Sequence, residues 1–381
     1  MKNNFLILCF FFVLLGCSSD EKQVNIQYKN VFENNNTLPF AEASERIDAK
    51  IDKVKNLNNI LNAKSYNLTN PSINYPLEKI WEIDTDQNID DENPFLSEPI
   101  LISSYLYLIN NHGVLFKIDI DGGKIVWEKK IFNDLENTVL GTPAVSGTLS
   151  NDEKVTIYVH SGHNHILALK GNSGEVVWKY THDLPFRGGI TTFKDFLFVS
   201  DFSGNFISIN NKNGKINWTR LLGSDYSSVY TNARAIVAKN KLIIPGTGGT
   251  FFIISIKTGD LLWTENISSN KQSPKLFHAG DIVANPVFKG GVIYLVSQSG
   301  NISAFDINTS EELWNLPIGG FQTPILSGKT IFINGNMGLL AAIDTTSGKV
   351  RWTKKYPSYI NEHAFFSEKK IALYKGPTLV N

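Results

Sequence analysis

The sequence predicts an all-β protein built from repeated four-stranded antiparallel sheets, and three observations support this prediction. Seven tryptophans occur in the 381 residues, and from Trp127 onward they are 51, 40, 45, 51 and 38 residues apart. Five of the seven follow a glycine by four residues. Short apolar runs, separated by turns that contain Gly or Asn, fill the intervals. A period of roughly 40 to 50 residues filled by short strands is typical of a β-propeller.

Composition narrows the class of protein further. Lys plus Arg equals Asp plus Glu, at 36 each, so no basic excess indicates a nucleic-acid partner. The hydrophobic fraction of 42% is that of an ordinary globular chain. After the N-terminal segment, no apolar run approaches the ~18 residues of a membrane-spanning helix.

Residues 1–16 have the pattern of a signal peptide. Lys2 precedes the apolar run Phe5–Leu15, which has the length of a signal h-region. The following Leu14-Leu15-Gly16-Cys17 resembles the bacterial lipobox, and this resemblance implies that Cys17 is acylated and becomes the first mature residue. Ser18 and Ser19 follow without an adjacent Asp, which by the same resemblance implies sorting to the outer membrane. The alternative is an ordinary signal peptide with an incidental cysteine.

Cysteine usage agrees with this interpretation. Cys9 would be removed with the signal peptide and Cys17 would carry lipid, so no thiol is left for a disulfide, a zinc site or a nucleophile. Residues 17–75 lack the repeat and are interpreted as a lipidated tether. Within this tether the spacing of apolar residues predicts one amphipathic helix over about 41–62. This helix either lies on the propeller or spaces the propeller from the membrane.

The predicted propeller begins at residue 76, and each repeat is interpreted as four strands. The first strand opens near a proline in four units, at Pro99, Pro143, Pro286 and Pro324, where a missing N–H is tolerated. An apolar second strand and a Gly-containing hairpin turn follow. The third strand leads into an Asp/Asn-x-x-x-Gly turn, and the fourth strand carries the tryptophan.

The tryptophans and the preceding glycines are predicted to be structural residues that join neighbouring blades. One indole ring buries ~150–250 Å², and the glycine meets a backbone requirement of the turn. Two units depart from the pattern. One has Ser310 at the glycine position, which predicts a slightly different turn there, and another has Ser255 at the Asp position. The predicted structural residues are Trp81, Trp127, Trp178, Trp218, Trp263, Trp314, Trp352, Gly123, Gly174, Gly214, Gly259 and Gly348.

This repeat resembles the tryptophan-docking motif of quinoprotein-like propellers, Ala-x-Asp-x-x-Thr-Gly-x-x-x-Trp. The segment Ala342–Trp352 matches it nearly throughout, and the resemblance covers residues 76–381. Two families share the motif: pyrroloquinoline-quinone dehydrogenases, and the BamB family of outer-membrane β-barrel assembly lipoproteins. The lipobox, the length and the absence of visible enzyme apparatus favour the BamB family.

Resemblance to the BamB family implies a non-enzymatic, cofactor-free scaffold on the periplasmic face of the outer membrane. The implied partners are the BamA insertase, other subunits of the assembly complex and unfolded outer-membrane proteins, with this chain a monomer within the hetero-complex. A quinone-dependent dehydrogenase and a generic WD40-like interaction propeller remain alternatives. The WD40-like alternative is weakened because no tryptophan here precedes an Asp.

One segment resembles the family's Leu-x-Leu-Arg loop, which contacts BamA. In Asp183–Gly188 the resemblance implies that Leu184 and Phe186 are apolar anchors and Arg187 is the charged partner. The alternative is that Leu184 and Phe186 are core residues that lead into a strand. The family's Asp pair in the next inter-blade loop has no counterpart in Ser224–Arg234.

The repeat count predicts six complete blades, whereas the family is expected to have eight. Gly376–Asn381 looks like the opening of another unit, and Trp81 looks like a closing strand whose partner strands are missing. We therefore expect a propeller that is incomplete at its C-terminus. A naturally shorter seven-bladed ring is the alternative.

Two other motifs are interpreted as structural. His160, His163 and His165 suggest a metal site, but strand alternation directs their side chains to different sides. Gly246–Gly249 is rich in glycine, yet it lacks the following Lys and the strand-to-helix context of a phosphate loop. The segment Gly246–Gly249 is predicted to be a wide hairpin turn. Elsewhere in the sequence, no Ser/His/Asp arrangement and no pair of carboxylates indicates a catalytic site.

Overall fold

The computed structural model describes residues 80–85, 97–110, 112–131, 143–223, 233–267, 281–298, 300–335 and 339–355. The predicted signal peptide at 1–16, the tether at 17–75 with its helix at about 41–62, Cys17 and the segment 376–381 lie outside these ranges. All described residues belong to one compact unit, 38–381. Within the described ranges, no helix is both long enough and apolar enough to span a membrane.

Six antiparallel four-stranded sheets, called blades 1 to 6 in chain order, make up the described fold. Each blade is a meander, and we call its first strand the inner strand and its fourth the outer strand. Blades 1 to 3 contain β1 (Ile100–Ile102), β2 (Tyr105–Ile109), β3 (Val114–Asp119), β4 (Ile125–Lys130), β5 (Ala144–Leu149), β6 (Val155–His160), β7 (His165–Lys170), β8 (Val176–Thr181), β9 (Phe186–Phe193), β10 (Phe196–Asp201), β11 (Asn205–Asn210) and β12 (Ile216–Leu221). Blades 4 to 6 contain β13 (Ile236–Ala238), β14 (Lys241–Pro245), β15 (Thr250–Ser255), β16 (Leu261–Asn266), β17 (Val287–Lys289), β18 (Val292–Val296), β19 (Ile302–Asp306), β20 (Glu312–Leu316), β21 (Ile325–Ser327), β22 (Thr330–Gly335), β23 (Leu339–Asp344) and β24 (Val350–Lys355). The prediction of an all-β propeller with six complete blades is confirmed.

The turns follow the predicted chemistry. In five of the six described blades the glycine of the turn after the third strand adopts positive φ, as at Gly123 with φ 63°, and the Gly123 N–H donates to the Asp119 carbonyl at 2.9 Å. In blade 4 the hydroxyl of Ser255 replaces the usual carboxylate and accepts from the Thr258 N–H at 3.4 Å. The predicted wide hairpin turn at Gly246–Gly249 joins β14 to β15 through a short 3₁₀ turn.

Every outer strand carries its tryptophan directly after a β-bulge. In blade 1, Lys117 pairs with Trp127 but Ile118 pairs with Ile125, so Val126 is the extra residue. The third and fourth strands of the other five blades show the same shift. A bulge bends and twists the strand locally, and the indoles of blades 1 to 5 reach the following blade.

The core lies between neighbouring blades. Tyr107 and Leu115 of blade 1 pack in one buried cluster with Ile157 and Leu169 of blade 2. Equivalent clusters join blades 2 and 3, blades 3 and 4, and blades 4 and 5. Because each sheet buries both faces against its neighbours, its middle strands are apolar almost throughout.

Indole docking repeats at four of the five junctions between successive described blades, namely all except that between blades 4 and 5. In each case the indole N–H donates to a carbonyl in the turn between the third and fourth strands of the next blade, over 2.9 to 3.3 Å. The donor and acceptor residues are Trp127 and Gly171, Trp178 and Asn211, Trp218 and Ile256, and Trp314 and Thr345. The ring lies over the turn glycine so closely that a Cβ would meet it at 2.7 to 3.5 Å, at Gly174, Gly214, Gly259 and Gly348.

The junction between blades 4 and 5 differs from the other four, although its turn does not. Ser310 has φ 65° and its N–H donates to the Asp306 carbonyl at 2.9 Å, so its turn matches the glycine turns and the expected different turn is wrong. The docking is what changes. No described residue accepts a hydrogen bond from the indole of Trp263, and the Ile307 carbonyl in the acceptor position binds Lys241 Nζ at 2.9 Å. Ser310 carries a Cβ where the other turns have a glycine, and that is where the indoles of the other blades make their closest contact.

Trp81 docks on blade 1 in the same way as the other tryptophans. Its indole N–H donates to the Ile120 carbonyl at 2.7 Å, and a Cβ on Gly123 would lie 2.6 Å from its ring. Residues 80–85 form no strand with any described residue, so the predicted closing strand is not seen there. At the other end, Trp352 packs on Phe332 of its own blade, with ring centroids 5.9 Å apart.

Candidate partner-binding site

The segment Asp183–Gly188 forms the connection from the outer strand of blade 2 to the inner strand of blade 3. Leu184 is 38% exposed, although large apolar side chains are usually buried. Phe186 and Arg187 are the first two residues of β9. The structure therefore places one predicted anchor at the surface and the other two at the start of a strand.

Phe186 is a core residue. Its side chain is 0% exposed, and its ring lies between those of His160 and His182, with centroids 5.7 and 5.5 Å away. Its N–H donates to the His163 carbonyl at 3.0 Å. The interpretation of Phe186 as an exposed anchor is therefore corrected: alternation along β9 turns this side chain inward, so it supports the loop from below.

A buried hydrogen-bond network holds the loop in place. His182 contacts the Tyr180 hydroxyl through Nδ1 at 3.1 Å and the Asp201 carboxylate through Nε2 at 2.9 Å. Asp201 is fully buried and also accepts from the N–H groups of Ser203 and Asn205 at 2.9 Å. Burial alone would raise the pKa of Asp201, but these hydrogen bonds lower it below its usual range. Asp201 is therefore a buried carboxylate that fixes the loop.

Arg187 is the cation of this site. Burial lowers the pKa of its guanidinium, while Asp281 and Asp201 act in the opposite direction, and an arginine remains charged in either case. Both carboxylates already have partners, since Asp281 accepts from the Gly248 N–H at 2.7 Å. No described residue forms a hydrogen bond with the guanidinium of Arg187, and the carboxylates of Asp281 and Asp201 act on it only through their charge.

In the next inter-blade loop, where the sequence has no counterpart of the family's Asp pair, residues 224–232 lie outside the described residues. At its end, the Arg234 N–H donates to the Asn285 side chain at 2.8 Å, and its guanidinium is 4.0 Å from Glu98. Asn285 also donates to both carboxylate oxygens of Glu98 at 3.2 Å. Arg234 thus belongs to a polar group that joins blades 1, 4 and 5.

The three histidines next to the loop are buried in blade 2. His160 Nε2 lies 3.1 Å from the Gly188 carbonyl, and burial lowers the pKa of His160 to about 4. His165 Nε2 lies 3.4 Å from the Ile131 carbonyl, and its ring stacks on that of His163 with centroids 6.5 Å apart. Across the described ranges, no three His, Cys, Asp or Glu side chains come together as a possible metal site.

Sequence reasoning missed two residues beside the loop. Phe202 follows Asp201 in the turn between β10 and β11, and Leu221 ends β12 with 66% of its side chain exposed. A sequence signal existed for Leu221, because it breaks the polar run that follows the tryptophan in most other outer strands.

Four-stranded blades that are joined by indoles docked on the turns of the next blade define a tryptophan-docking β-propeller. A family model described as "Outer membrane protein assembly factor BamB" matches residues 111–354. The chain belongs to this BamB family.

Individual relatives are distant. The Outer membrane protein assembly factor BamB of Yersinia pestis is 22% identical over 281 residues, which cover 72% of this chain and 70% of that protein. The crystal structure of BamB from Moraxella catarrhalis superimposes with a TM-score of 0.58 at 17% identity, over 68% of this chain and 75% of that one. A quinohemoprotein alcohol dehydrogenase from Pseudomonas putida has a TM-score of 0.52 at 12% identity, over 68% and 58%. At these identities the structural likeness shows the fold alone.

Proposed function

We propose that this chain is a non-enzymatic scaffold of the outer-membrane β-barrel assembly complex. It binds the BamA-type insertase and aids the folding and insertion of outer-membrane proteins. Membership of the BamB family supports this proposal. The single observation that carries it is the geometry of the loop Asp183–Gly188, which holds an exposed Leu184 beside an Arg187 guanidinium with no hydrogen-bond partner among the described residues.

The loop has the properties of an interface rather than of an active site. Arginine and large apolar residues are common anchors of protein interfaces. The network around Asp201 fixes the backbone before the partner arrives, so little conformational entropy is lost on binding. A rigid connection on a β-scaffold is a frequent location for recognition.

The test is a binding titration between the full chain and the periplasmic region of the insertase from the same organism. Arg187→Glu should weaken binding roughly 100-fold, about 3 kcal/mol, because it places a like charge against the partner's carboxylate. Lys215→Glu is the matched control, since Lys215 is exposed and lies in the turn before β12, at the opposite end of the blade. Equal affinity of the Arg187→Glu and wild-type proteins would overturn the interface assignment.

We also propose that Cys17 carries the lipid anchor that holds the chain on the periplasmic face of the outer membrane. Export with cleavage before Cys17 would leave this residue at the mature N-terminus. Mass spectrometry of the N-terminal peptide should show an acylated cysteine, and Cys17→Ser should move the protein from the membrane fraction to the soluble fraction. An unmodified Cys17 would contradict the anchor.

A quinone-dependent dehydrogenase is the second candidate. The specific observation in its favour is the shared fold of the Pseudomonas putida alcohol dehydrogenase, with a TM-score of 0.52. The two functions make different predictions for purified protein incubated with the quinone. Saturable binding with dye reduction in the presence of an alcohol would support the enzyme and contradict the scaffold.

A further inference from the structure

The top of blade 3 carries an apolar surface that extends beyond the loop Asp183–Gly188. We call it the blade-3 ridge and define it by Leu184, Phe202 and Leu221. Leu184 is 38% exposed and Leu221 is 66% exposed, whereas Phe202 is partly exposed between them. They come from three segments: the connection before β9, the turn between β10 and β11, and the end of β12.

Backbone hydrogen bonds join these three segments into one surface. The Phe202 N–H donates to the Pro185 carbonyl at 3.1 Å, which ties the turn to the loop. The Leu222 N–H donates to the Gly204 carbonyl at 3.0 Å, and Asn205 pairs with Leu221, which tie the same turn to the end of the outer strand. The three segments that carry the ridge are therefore neighbours at the same end of blade 3.

The packing under the ridge makes it rigid. A Cβ on Gly204 would overlap the carbonyl oxygen of Gly223, so the two backbones are in direct contact there. Asp201 accepts from both Ser203 and Asn205 and closes the turn that carries Phe202. An exposed apolar surface on such a support has no conformational route to bury itself, and exposed apolar surfaces of this kind mark interaction sites.

The charge of Arg187, at the start of the inner strand of blade 3, indicates which kind of partner surface is complementary to the ridge. The nearby carboxylates of Asp201 and Asp281 are engaged by His182 and by the Gly248 N–H respectively. The guanidinium of Arg187, in contrast, forms no hydrogen bond with any described residue. The complementary surface therefore consists of apolar side chains followed by one carboxylate, which can accept two parallel hydrogen bonds from an arginine.

We propose that the insertase subunit docks along the whole blade-3 ridge. Its apolar side chains cover Leu184, Phe202 and Leu221, and one of its carboxylates pairs with Arg187. This inference rests on the proposed function and deepens it, since it adds Phe202 and Leu221 to the contact and specifies the chemistry of the partner. The outer strand of blade 3 thereby becomes part of the interface.

The test uses two lysine substitutions within one strand. Leu221→Lys places a charge on the ridge, whereas Ile216→Lys places the same charge at the other end of β12, where Ile216 is 48% exposed. Both variants should fold as wild type, since both side chains are largely exposed, and circular dichroism melting checks this. In titrations of the full chain with the periplasmic region of the insertase, Leu221→Lys should weaken binding at least tenfold and Ile216→Lys less than twofold.

Two reference variants separate failure of this inference from failure of the proposed function. If Arg187→Glu and Leu184→Asp weaken binding while Leu221→Lys binds as wild type, the interface ends at the loop and the ridge is wrong. If none of the four variants changes the affinity, the loop Asp183–Gly188 is not part of the interface, and both the proposed function of the loop and the inference about the ridge are wrong. A loss with Ile216→Lys equal to that with Leu221→Lys would show a general charge effect and would also overturn the ridge.

Discussion

The docking of an indole on a turn glycine predicts a measurable difference between two alanine substitutions. Gly259 and Gly174 have nearly the same backbone conformation, with φ of 70° and 68°. A Cβ on Gly259 would lie 2.7 Å from the ring of Trp218, whereas a Cβ on Gly174 would lie 3.5 Å from the ring of Trp127. The second distance is ordinary van der Waals contact and the first is an overlap. The pair therefore separates the cost of the backbone from the cost of displacing the indole.

The magnitudes follow from these two contributions. Alanine in the left-handed region costs about 1 kcal/mol at either position. At Gly259 the ring of Trp218 must also move by several tenths of an ångström, which weakens its 3.0 Å hydrogen bond to the Ile256 carbonyl and its packing on Phe198. That adds about 2 kcal/mol. We expect Gly259→Ala to lower the free energy of unfolding by about 3 kcal/mol and Gly174→Ala by about 1 kcal/mol.

Urea denaturation of the two purified variants and the wild type measures the difference. With a slope of ~3 kcal/mol per M for a chain of this size, the midpoints of the two variants should differ by roughly 0.7 M. Fluorescence and far-UV circular dichroism should give coincident transitions, since otherwise the midpoints do not report one free energy. Equal midpoints for Gly259→Ala and Gly174→Ala would refute the claim that close indole contact requires the glycine.

Three further substitutions test other features of the fold. Ser310→Gly relieves a left-handed serine with φ 65° and should raise the free energy of unfolding by about 1 kcal/mol, and an unchanged or lower denaturation midpoint would contradict this. Burial lowers the pKa of His160 from 6.5 in the unfolded chain to about 4 in the fold. Because the folded state favours the neutral imidazole, this contribution to stability is complete at pH values above 6.5 and is lost as the pH falls from about 6.5 towards 4. Between pH 7 and pH 5 the wild type should lose about 2 kcal/mol more than His160→Gln in matched urea titrations, and parallel losses would show that His160 is not responsible. Asp201→Ala leaves buried donors of the loop network without an acceptor and should cost roughly 3 kcal/mol. The same variant should weaken insertase binding, whereas wild-type affinity would show that the network does not position the loop.

Sequence by itself determined the parts of this protein that depend on local chemistry. A tryptophan four residues after a glycine located the outer strand and the turn of most blades, because only a left-handed turn without a Cβ lets the indole of the preceding blade approach. Gly- and Asn-containing turns between apolar runs placed the hairpins. These signals predicted six complete blades, and six are present in the described residues.

Only the tertiary structure decided which apolar side chains remain exposed. Leu184 and Phe186 are both large apolar residues and lie two positions apart, yet Phe186 is fully buried against the rings of His160 and His182, whereas Leu184 is 38% exposed. At Ser310 the turn matches its neighbours, and only the position of the preceding blade shows that the indole of Trp263 forms no hydrogen bond with the residues that the structure describes. Local sequence encodes backbone conformation, but exposure depends on which distant segments pack above a residue. The blade-3 ridge, which joins Leu184 to Leu221, is therefore visible only in the folded chain.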